Sequence, residues 1–341
     1  MHITDIERRE ILRYMGMFDF REFLQAKTFL VTGAGGIIGT GIIKWILMEN
    51  EVYHCNTHII ASTRNLQKDS ENVAYCSFGH ELETVQERKV DYILHAASPT
   101  SNLFHQQHPT ETFRVNVDGM ERMLEIAKRY NSTALYLSSE EVYGAPQIDT
   151  PIAEEYVGSI DSMNLRSCYP LAKKACELLC CGAVHEYGVN VKIIRPTSIQ
   201  GLFQRRDETR VANEILNCII DGHDLHMKSD GMTQKCIIYS LDAIAAIFTV
   251  LFKGNKGEAY NASNPATFMT VKDMAATLFE KFAPDCRIIF ERNADTAAMG
   301  FLPHRTLQQD ISKIRQLGWE PKTSLEDIYR IDIERLKAAV Q

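Results

Sequence analysis

Residues 28–39 read TFLVTGAGGIIG, a β-rich run that passes into a glycine-rich turn and then into a helical pattern. Glycines at such a turn let the backbone approach a pyrophosphate, and the first N–H groups of the following helix then face the anion. The stretch therefore predicts a site for a dinucleotide coenzyme. The predicted contacts are Gly33, Gly35, Gly36, Ile37, Ile38 and Gly39.

Outward from this turn, further β-rich runs alternate with longer helical patterns. The runs are at residues 58–63, 91–97, 134–139 and 191–196, and several are apolar on both faces. Such runs are typical of parallel strands buried between helices. The alternation predicts an α/β fold, a doubly wound parallel (Rossmann) sheet, with functional groups at the carboxyl ends of its strands.

The patterning divides the chain into three parts. Residues 1–25 form a helical N-terminal extension, which we expect to pack on its own domain, with docking of a partner as the alternative. Residues 26–196 form the dinucleotide-binding domain. Residues 197–341, where the rhythm of elements becomes irregular, form a smaller mixed C-terminal lobe that binds the substrate.

Composition and charge exclude several classes of function. The 37 Lys and Arg residues against 44 Asp and Glu residues give a formal net charge of −7, which disfavours nucleic acid as a partner. The start of the sequence lacks the apolar core of a signal peptide, and no apolar run approaches the roughly 20 residues that span a bilayer. We therefore expect a cytoplasmic protein without a membrane partner.

The cysteines and histidines indicate neither disulfides nor metal binding. Nine cysteines without a CxxC pair predict reduced thiols. The eleven histidines include no HExxH motif and no paired His/Cys spacing, so we expect no metal site.

The end of the second β-rich run bears on the choice of coenzyme. An acidic residue there would hold the ribose 2′-hydroxyl of NAD, but Ser62, Thr63 and Arg64 stand at this place. A hydroxyl from Ser62 and the planar donors of Arg64 suit a 2′-phosphate. The sequence predicts NAD or NADP, with NADP favoured.

A Tyr-x-x-x-Lys motif, Tyr169 to Lys173, lies between the β-rich runs at 134–139 and 191–196. Residues four apart share one face of a helix, so the ammonium of Lys173 should lie beside the phenol of Tyr169. A nearby positive charge favours the phenolate, and we expect it to lower the pKa of Tyr169 toward the range of a general base. Ser139, at the end of a strand, would complete a Ser/Tyr/Lys triad.

These motifs together resemble the extended short-chain dehydrogenase/reductase family of nucleotide-sugar enzymes, over residues 28 to about 335. Thr-Gly-x-x-Gly-x-x-Gly, Ser139 followed by Val142-Tyr143-Gly144, and Tyr-x-x-x-Lys carry the resemblance. It implies a tightly bound coenzyme and a homodimer formed by helices near 111–129 and 167–187. The further coenzyme contacts that it implies are Ala96, Ala97, Ser98, Asn116, Tyr169, Lys173 and Pro196.

Two adjacent carboxylates, Glu140 and Glu141, follow Ser139. Nucleotide-sugar 4,6-dehydratases of the family have an acidic pair here, and the decarboxylases keep the second carboxylate. By resemblance Glu140 would be the general acid and Glu141 the base that removes the C5 proton. Arg166-Ser167-Cys168-Tyr169 is similar to UDP-glucuronate decarboxylases, which implies that Arg166 holds a substrate carboxylate.

Departures from the family pattern leave the substrate open. Ser198 replaces an asparagine and Lys235 an arginine, both at positions that normally touch the nucleotide diphosphate. A smaller phosphorylated substrate is therefore also considered. The predicted substrate contacts are Ser98, Arg166, Ser198, Lys235 and Arg305.

The sequence thus predicts an enzyme that modifies a nucleotide-linked sugar through a transient 4-keto sugar, as a 4,6-dehydratase or a UDP-glucuronate decarboxylase does. The alternatives are a 4-epimerase, an NADPH-dependent ketoreductase and a non-catalytic dinucleotide sensor. Replacing Tyr169 by Phe separates the sensor from the enzymes, because only the enzymes should lose turnover. Assembly of cell-surface polysaccharide is the expected pathway class.

Overall fold

The computed structural model describes residues 1–85, 89–146, 148, 150–291 and 305–338. The strands are β1 (Thr28–Thr32), β2 (His58–Thr63), β3 (Val73–Ser77), β4 (Tyr92–His95), β5 (Thr133–Leu137), β6 (Asn190–Pro196), β7 (Ser198–Gln200), β8 (Leu225–Met227), β9 (Gln234–Lys235), β10 (Ile237–Tyr239), β11 (Ala259–Ala262), β12 (Met269–Thr270) and β13 (Ile288–Phe290). The helices are α1 (Asp5–Met15), α2 (Arg21–Leu24), α3 (Ile37–Tyr53), α4 (Glu81–Thr84), α5 (Asn102–Gln107), α6 (Pro109–Tyr130), α7 (Cys168–Tyr187), α8 (Val211–Asp221), α9 (Ser240–Lys253), α10 (Val271–Phe282), α11 (Ser312–Arg315) and α12 (Leu325–Ala338).

Seven strands of the described chain form the central sheet, in the order β11-β6-β5-β4-β1-β2-β3. Every neighbouring pair in it is parallel. The order reverses at β1, which pairs with β2 on one side and with β4 on the other. The predicted doubly wound α/β fold is confirmed, and its ligand crevice is expected outside the carboxyl ends of β1 and β4.

Helices cover both faces of the sheet because successive side chains of each strand point to opposite faces. Phe29 and Val31 of β1 pack into a core with α3 and α9, whereas Leu30 packs into a second core with α6 and α7. Both cores are made largely of fully buried aliphatic side chains. The sheet is therefore a rigid frame for the groups at its carboxyl edge.

The N-terminal helices lie on the rest of their own chain. Ile11, Tyr14 and Leu24 are fully buried in the core that α3 and α9 share. The hydroxyl groups of Tyr14 and Thr323 are 2.6 Å apart, and Lys44 Nζ donates to Glu7 at 2.7 Å. These contacts link α1 to α3 and to the segment before α12.

The chain after residue 196 contributes both to the central sheet and to a smaller lobe. Strand β11 pairs with β6 at the sheet edge, and α9 packs beneath it. Three two-stranded pairings, β10-β7, β12-β9 and β13-β8, belong to the smaller lobe. The two parts interleave, and the domain division at residue 196 stays a prediction.

Within the described ranges, every helix is too short or too polar to cross a membrane.

Candidate active site

The glycine-rich turn brings the backbone of β1 against the end of β4. Gly33 has φ of +69°, and a Cβ at this position would lie 2.7 Å from the Ala96 carbonyl oxygen. A Cβ on Gly39 would overlap the Gly33 carbonyl oxygen. Glycine is thus required at both positions by close approach, and Gly33 also by its left-handed conformation.

The first turn of α3 is suited to an anion. Gly36 caps the helix in extended conformation without a side chain, and Ile37, Ile38 and Gly39 follow with no acidic residue in the first turn. Their N–H groups and the positive end of the helix dipole favour a phosphate group. The cradle fits the pyrophosphate of a dinucleotide.

At the end of β2, Ser62 and Arg64 have different surroundings. Ser62 is fully buried and donates to Glu81 Oε1 at 2.5 Å, while Gly79 N donates to Glu81 Oε2 at 3.0 Å. Arg64 is exposed just beyond the strand. The Ser62 hydroxyl is therefore directed at Glu81, a buried carboxylate that the sequence patterns did not indicate, and Arg64 is the group at the surface.

The end of β4 completes the crevice. Thr32 Oγ1 is 2.7 Å from His95 Nδ1 and accepts from Ala97 N at 3.2 Å, which fixes the Ala96-Ala97 backbone beside Gly33. Burial, aided by the charge of Lys173, lowers the pKa of His95 to about 3. A neutral histidine here keeps the crevice from carrying an extra positive charge.

Asn116 and Pro196, two further predicted coenzyme contacts, lie on α6 and at the end of β6. Asn116 of α6 is fully buried and donates from Nδ2 to Thr112 O at 2.8 Å. Its Oδ1 is buried and has no protein partner among the described residues. Pro196 is the buried last residue of β6. The Asn116 oxygen is thus an acceptor available to a bound coenzyme or water.

The structure brings Ser139, Tyr169 and Lys173 together at the end of β5. Ser139 caps a 3-10 turn, Glu140–Tyr143, by accepting from Glu141 N at 3.2 Å, and its hydroxyl also hydrogen-bonds Tyr169. Lys173 Nζ donates to Leu137 O at 2.8 Å and lies 5.5 Å from the centre of the Tyr169 ring. The predicted triad is compact, with Ser139 and Lys173 buried and Tyr169 partly buried.

The pKa of Tyr169 departs from the sequence expectation. Burial, followed by the charge of Glu141, raises it to about 12, although the Ser139 hydrogen bond and Arg166 act to lower it. Lys173 stands over the ring face and donates to a carbonyl, and burial lowers its own pKa to about 8. The prediction that Lys173 lowers the pKa of Tyr169 is wrong for the chain without coenzyme, because burial outweighs it.

Glu140 is held at both of its carboxylate oxygens. Arg305 Nη2 donates to Oε1 at 2.8 Å, and Thr197 Oγ1 lies 2.7 Å from Oε2. The Glu140 side chain is 6% exposed and that of Arg305 is 11% exposed, so water screens their ion pair little. Thr197 Oγ1 is also 2.9 Å from Cys236 O, so one Glu140 oxygen faces a guanidinium and the other faces a hydroxyl that a backbone carbonyl shares.

Glu141 faces the second arginine. Arg166 Nη2 donates to Glu141 Oε1 at 3.1 Å and to Asn102 Oδ1 at 2.8 Å. Burial acts to raise the pKa of Glu141, but the charges of Arg166 and Arg305 outweigh it and hold this pKa below its usual value. Glu141 Oε2 and two Arg166 atoms, Nε and Nη1, are buried without a partner in the described chain.

The other predicted substrate contacts are spread around these pairs. Lys235 of β9 is close enough to Arg305 and Glu140 to feel their charges, and burial lowers its pKa to about 8. Ser198 is half-buried at the start of β7, and Ser98 donates to Pro99 O at 3.1 Å. Lys235 and Arg305 therefore join the Glu140 group, whereas the Ser98 hydroxyl is directed at its own backbone.

The sequence reasoning missed Asn102 and His105 on α5, and Thr197 after β6. Asn102 holds Arg166, His105 stacks on the Tyr169 ring at 4.8 Å between centroids, and Thr197 holds Glu140. A six-residue helix carries no readable hydrophobic period, which is why α5 gave no signal. Proximity of α5 to the strand end after residue 95 was the available clue.

Cysteines and metal-binding side chains add nothing to this site. All nine cysteines lie in the described part of the chain, and none is in a disulfide. Over the same described residues, no group of His, Cys, Asp and Glu side chains could hold a metal ion.

The chain is similar in sequence to known proteins. The model of the NAD dependent epimerase/dehydratase family matches residues 29–263. UDP-glucuronic acid decarboxylase 6 of Arabidopsis thaliana is 30% identical over 301 residues, covering 87% of this chain and 85% of the plant protein.

Solved structures of similar fold include two sugar-nucleotide enzymes. The UDP-glucose 4-epimerase of Thermotoga maritima, with UDP-glucose, superposes with a TM-score of 0.78 at 21% identity and covers 92% of this chain and 100% of that one. The dTDP-glucose 4,6-dehydratase of Bacillus anthracis, in complex with NAD, gives 0.73 at 21% identity, covering 92% and 97%. At these identities the likeness shows the fold.

Proposed function

Because the chain belongs to the NAD dependent epimerase/dehydratase family, we propose that it is a lyase that decarboxylates a nucleotide-linked uronic acid, with UDP-glucuronate as the first candidate. The reaction passes through a transient 4-keto sugar. The coenzyme is a nicotinamide dinucleotide that stays bound through the cycle.

The observation that carries this choice is the different state of the two carboxylates. Dehydration needs a general acid that donates a proton to the leaving hydroxyl. Glu140 Oε1 accepts from Arg305, so Glu140 would have to give up this ion pair before it could be that acid. Arg166, beside Glu141, has two buried donors without partners, which suit a carboxylate on the substrate.

The residues at the sheet edge supply the proton transfer of the first step. A bound oxidised nicotinamide, with its pyrophosphate held by the turn from Gly33 to Gly39, would supply the hydride acceptor for C4 of the sugar and, once reduced, the hydride donor. Tyr169 takes the proton of the C4 hydroxyl, and Ser139 hydrogen-bonds both the phenol and the sugar oxygen. Lys173, held on Leu137 O, places its positive charge by the Tyr169 ring, where it opposes the rise in the Tyr169 pKa that burial causes.

Carbon dioxide leaves from the keto sugar. A carbonyl at C4 makes the C6 carboxylate a β-keto acid, so the C5–C6 electron pair can move into an enolate as the bond breaks. C5 then takes up one proton from water, which balances the loss of CO2 from the carboxylate, and Tyr169 returns its proton to the C4 oxygen when C4 is reduced again. Arg166 orients the carboxylate before cleavage, and Glu141 and Asn102 orient Arg166.

A 4,6-dehydratase is the second candidate, since two adjacent carboxylates follow Ser139. In that reaction Glu141, held ionised by Arg166, removes the C5 proton, and Glu140 protonates the leaving hydroxyl. Glu140 would first have to become protonated and leave Arg305.

Mass spectrometry of reactions with a panel of sugar nucleotides tests the proposal. The purified protein, supplied with NAD or NADP, is incubated with UDP-glucuronate, UDP-glucose and dTDP-glucose. We expect a product lighter by one CO2 from UDP-glucuronate and no dehydrated product. A product lighter by one water would establish the dehydratase instead, and a product of unchanged mass would indicate an epimerase.

NADP is the proposed coenzyme, supported by exposed Arg64 at the end of β2. A 2′-phosphate would find its guanidinium there, whereas Ser62 is engaged with Glu81. Arg64→Gln should weaken NADP binding by about tenfold and leave NAD binding unchanged. Equal losses for both coenzymes would contradict this preference.

A homodimer through α6 and α7 is proposed from the outer faces of these helices. They pack against each other, and their outward side chains include Leu178, which is 73% exposed, and Phe113. A second copy would cover both. Sedimentation should show a dimer for the wild type and a monomer for Leu178→Arg; a wild-type monomer would contradict the proposed dimer.

A cytoplasmic location is also proposed, because the unpaired thiols fit a reducing compartment. Polysaccharide assembly remains the proposed pathway class.

A further inference from the structure

His105 of α5 lies against the catalytic tyrosine. Its imidazole stacks on the Tyr169 ring with 4.8 Å between centroids and 15° between planes. His105 is 1% exposed, so bulk water does not reach it. The Cys168 thiol, next to Tyr169, contacts the His105 carbonyl at 3.5 Å and fixes α5 to the start of α7. The imidazole is therefore fixed in place against the Tyr169 ring.

The hydrogen bonding of His105 defines its tautomer. Nε2 lies 3.1 Å from the Pro99 carbonyl oxygen, which can only accept, so Nε2 carries the proton. Burial, aided by the charge of Arg166, lowers the pKa of His105 and keeps the ring neutral. Nδ1 then presents a lone pair, and it is buried without a partner among the described residues. An unmet buried acceptor is costly unless a ligand or water satisfies it.

The neighbouring unmet groups have complementary chemistry. Arg166 Nε and Nη1 are buried donors, and Glu141 Oε2 is a buried acceptor. Arg166 is tied to the same helix as His105 through Asn102. A ligand that satisfies this set must offer an anionic or carbonyl oxygen to Arg166 and hydroxyl protons to Glu141 and His105. A sugar acid has both.

We propose that His105 is a substrate-contacting residue whose Nδ1 accepts a hydrogen bond from a ring hydroxyl of the sugar bound against Tyr169. The inference rests on the proposed function, since it takes the substrate to be a hydroxylated sugar acid. If the His105 ring only packed on Tyr169, substrate affinity would depend on the ring and not on the Nδ1 acceptor. Substitutions that keep one of these two features and remove the other therefore distinguish the two roles.

Three variants divide the functions of the imidazole. His105→Phe keeps a stacking ring and removes the acceptor. His105→Asn places a carbonyl oxygen near the position of Nδ1 and loses the ring. His105→Gln can reach Pro99 O with its amide but leaves the Nδ1 position empty. Thermal melts and coenzyme titrations of all three provide the control for folding.

The test measures the dissociation constant of UDP-glucuronate by calorimetry, and KM and kcat where turnover occurs. His105→Phe and His105→Gln should weaken binding and raise KM about tenfold with coenzyme affinity unchanged, and His105→Asn should recover most of the loss. UDP-sugars that lack the hydroxyl at C2 or at C3 identify the hydroxyl that His105 contacts. One of these deoxy sugars should bind the wild type about tenfold more weakly than the complete sugar does. The same deoxy sugar and the complete sugar should bind His105→Phe equally well.

Several outcomes would overturn the assignment. The assignment is wrong if His105→Phe binds UDP-glucuronate with wild-type affinity, or if His105→Phe and His105→Asn lose equal affinity. It is also wrong if the deoxy sugars bind His105→Phe more weakly than the complete sugar does. Release of CO2 by the wild type tests the proposed function separately. If it binds UDP-glucuronate without releasing CO2, decarboxylation is wrong, while the binding comparison still decides the role of His105.

Discussion

Ser139 is expected to affect catalysis through the pKa of Tyr169. Its hydrogen bond acts against the burial that raises the pKa of Tyr169, so Ser139→Ala should raise this pKa further. Activity that depends on the phenolate should fall about tenfold near pH 7, and the deficit should stay the same up to about pH 10, because this range lies well below the Tyr169 pKa of about 12. The pH profile of kcat/KM checks this, with Ser139→Thr as the hydroxyl-retaining control. Wild-type activity in Ser139→Ala, or a deficit that disappears between pH 7 and 10, would contradict the account.

The Glu140–Arg305 pair makes a prediction about stability. Arg305→Met leaves a buried carboxylate without its ion partner, and should lower the free energy of unfolding by about 3–5 kcal/mol. Arg305→Met combined with Glu140→Gln should recover most of this loss, because the carboxylate that lost its ion partner is then removed as well. Urea unfolding of both variants measures the difference. Equal stability of the single and double variants would show that the pair is not held as described.

Single residues of the site were predicted by type and motif, but their contacts were not. Glu140 and Arg305 are 165 positions apart, and no local pattern pairs them. The rise in the pKa of Tyr169 comes from burial that several elements create together. His105 carried no signal because its partner, Tyr169, belongs to another element.

Among the elements, the turn between β1 and α3 has the strictest backbone requirement. Gly33→Ala should weaken coenzyme binding by at least about tenfold, because its Cβ would meet the Ala96 carbonyl where the crevice narrows. Gly222→Ala is the matched control: its φ of +67° is similar, but its Cβ would meet nothing within 4 Å. Both variants should lose about 1 kcal/mol from the left-handed conformation. Fluorescence titration with NADPH measures coenzyme affinity, and thermal melts measure the loss of stability. Similar coenzyme affinity in the two variants would contradict the assignment of the Gly33 turn to coenzyme binding.

Elements with continuous apolar runs or a tight turn were predictable, and short ones were not. The run at 28–33 and the glycines after it predicted β1, the turn and α3, because buried parallel strands and anion-binding turns constrain residue type closely. Strand β11, of four residues, joins the main sheet although it lies beyond the predicted domain boundary. Its place is set by pairing with β6, which the strand's own sequence does not encode.

For the whole molecule, acid should be destabilising through His95. Its pKa of about 3 in the folded chain lies below the usual 6.5, so the folded state excludes the proton that the unfolded state binds. The resulting stability is present above pH 6.5 and is lost as pH falls toward 3, at up to about 1.4 kcal/mol per pH unit. His95→Gln should flatten the dependence of unfolding free energy on pH between 6.5 and 5.

Two buried carboxyl groups act in the opposite direction. Burial raises the pKa values of Asp242 and Asp332 to about 6, so their contribution is present at low pH and is lost as pH rises through 6. The comparison of wild type with His95→Gln cancels both contributions. Parallel curves for the two proteins would contradict the role given to His95.

The central claim is that the site breaks the bond between C5 and C6 of a nucleotide-linked uronic acid. NMR of the protein with UDP-glucuronate carrying carbon-13 at C6 tests it most directly. The account predicts that the label appears as carbon dioxide and bicarbonate while an unlabelled UDP-pentose accumulates, and that Tyr169→Phe releases none. Label that stays in the sugar while the wild type turns it over, as in dehydration or epimerisation, would contradict the account.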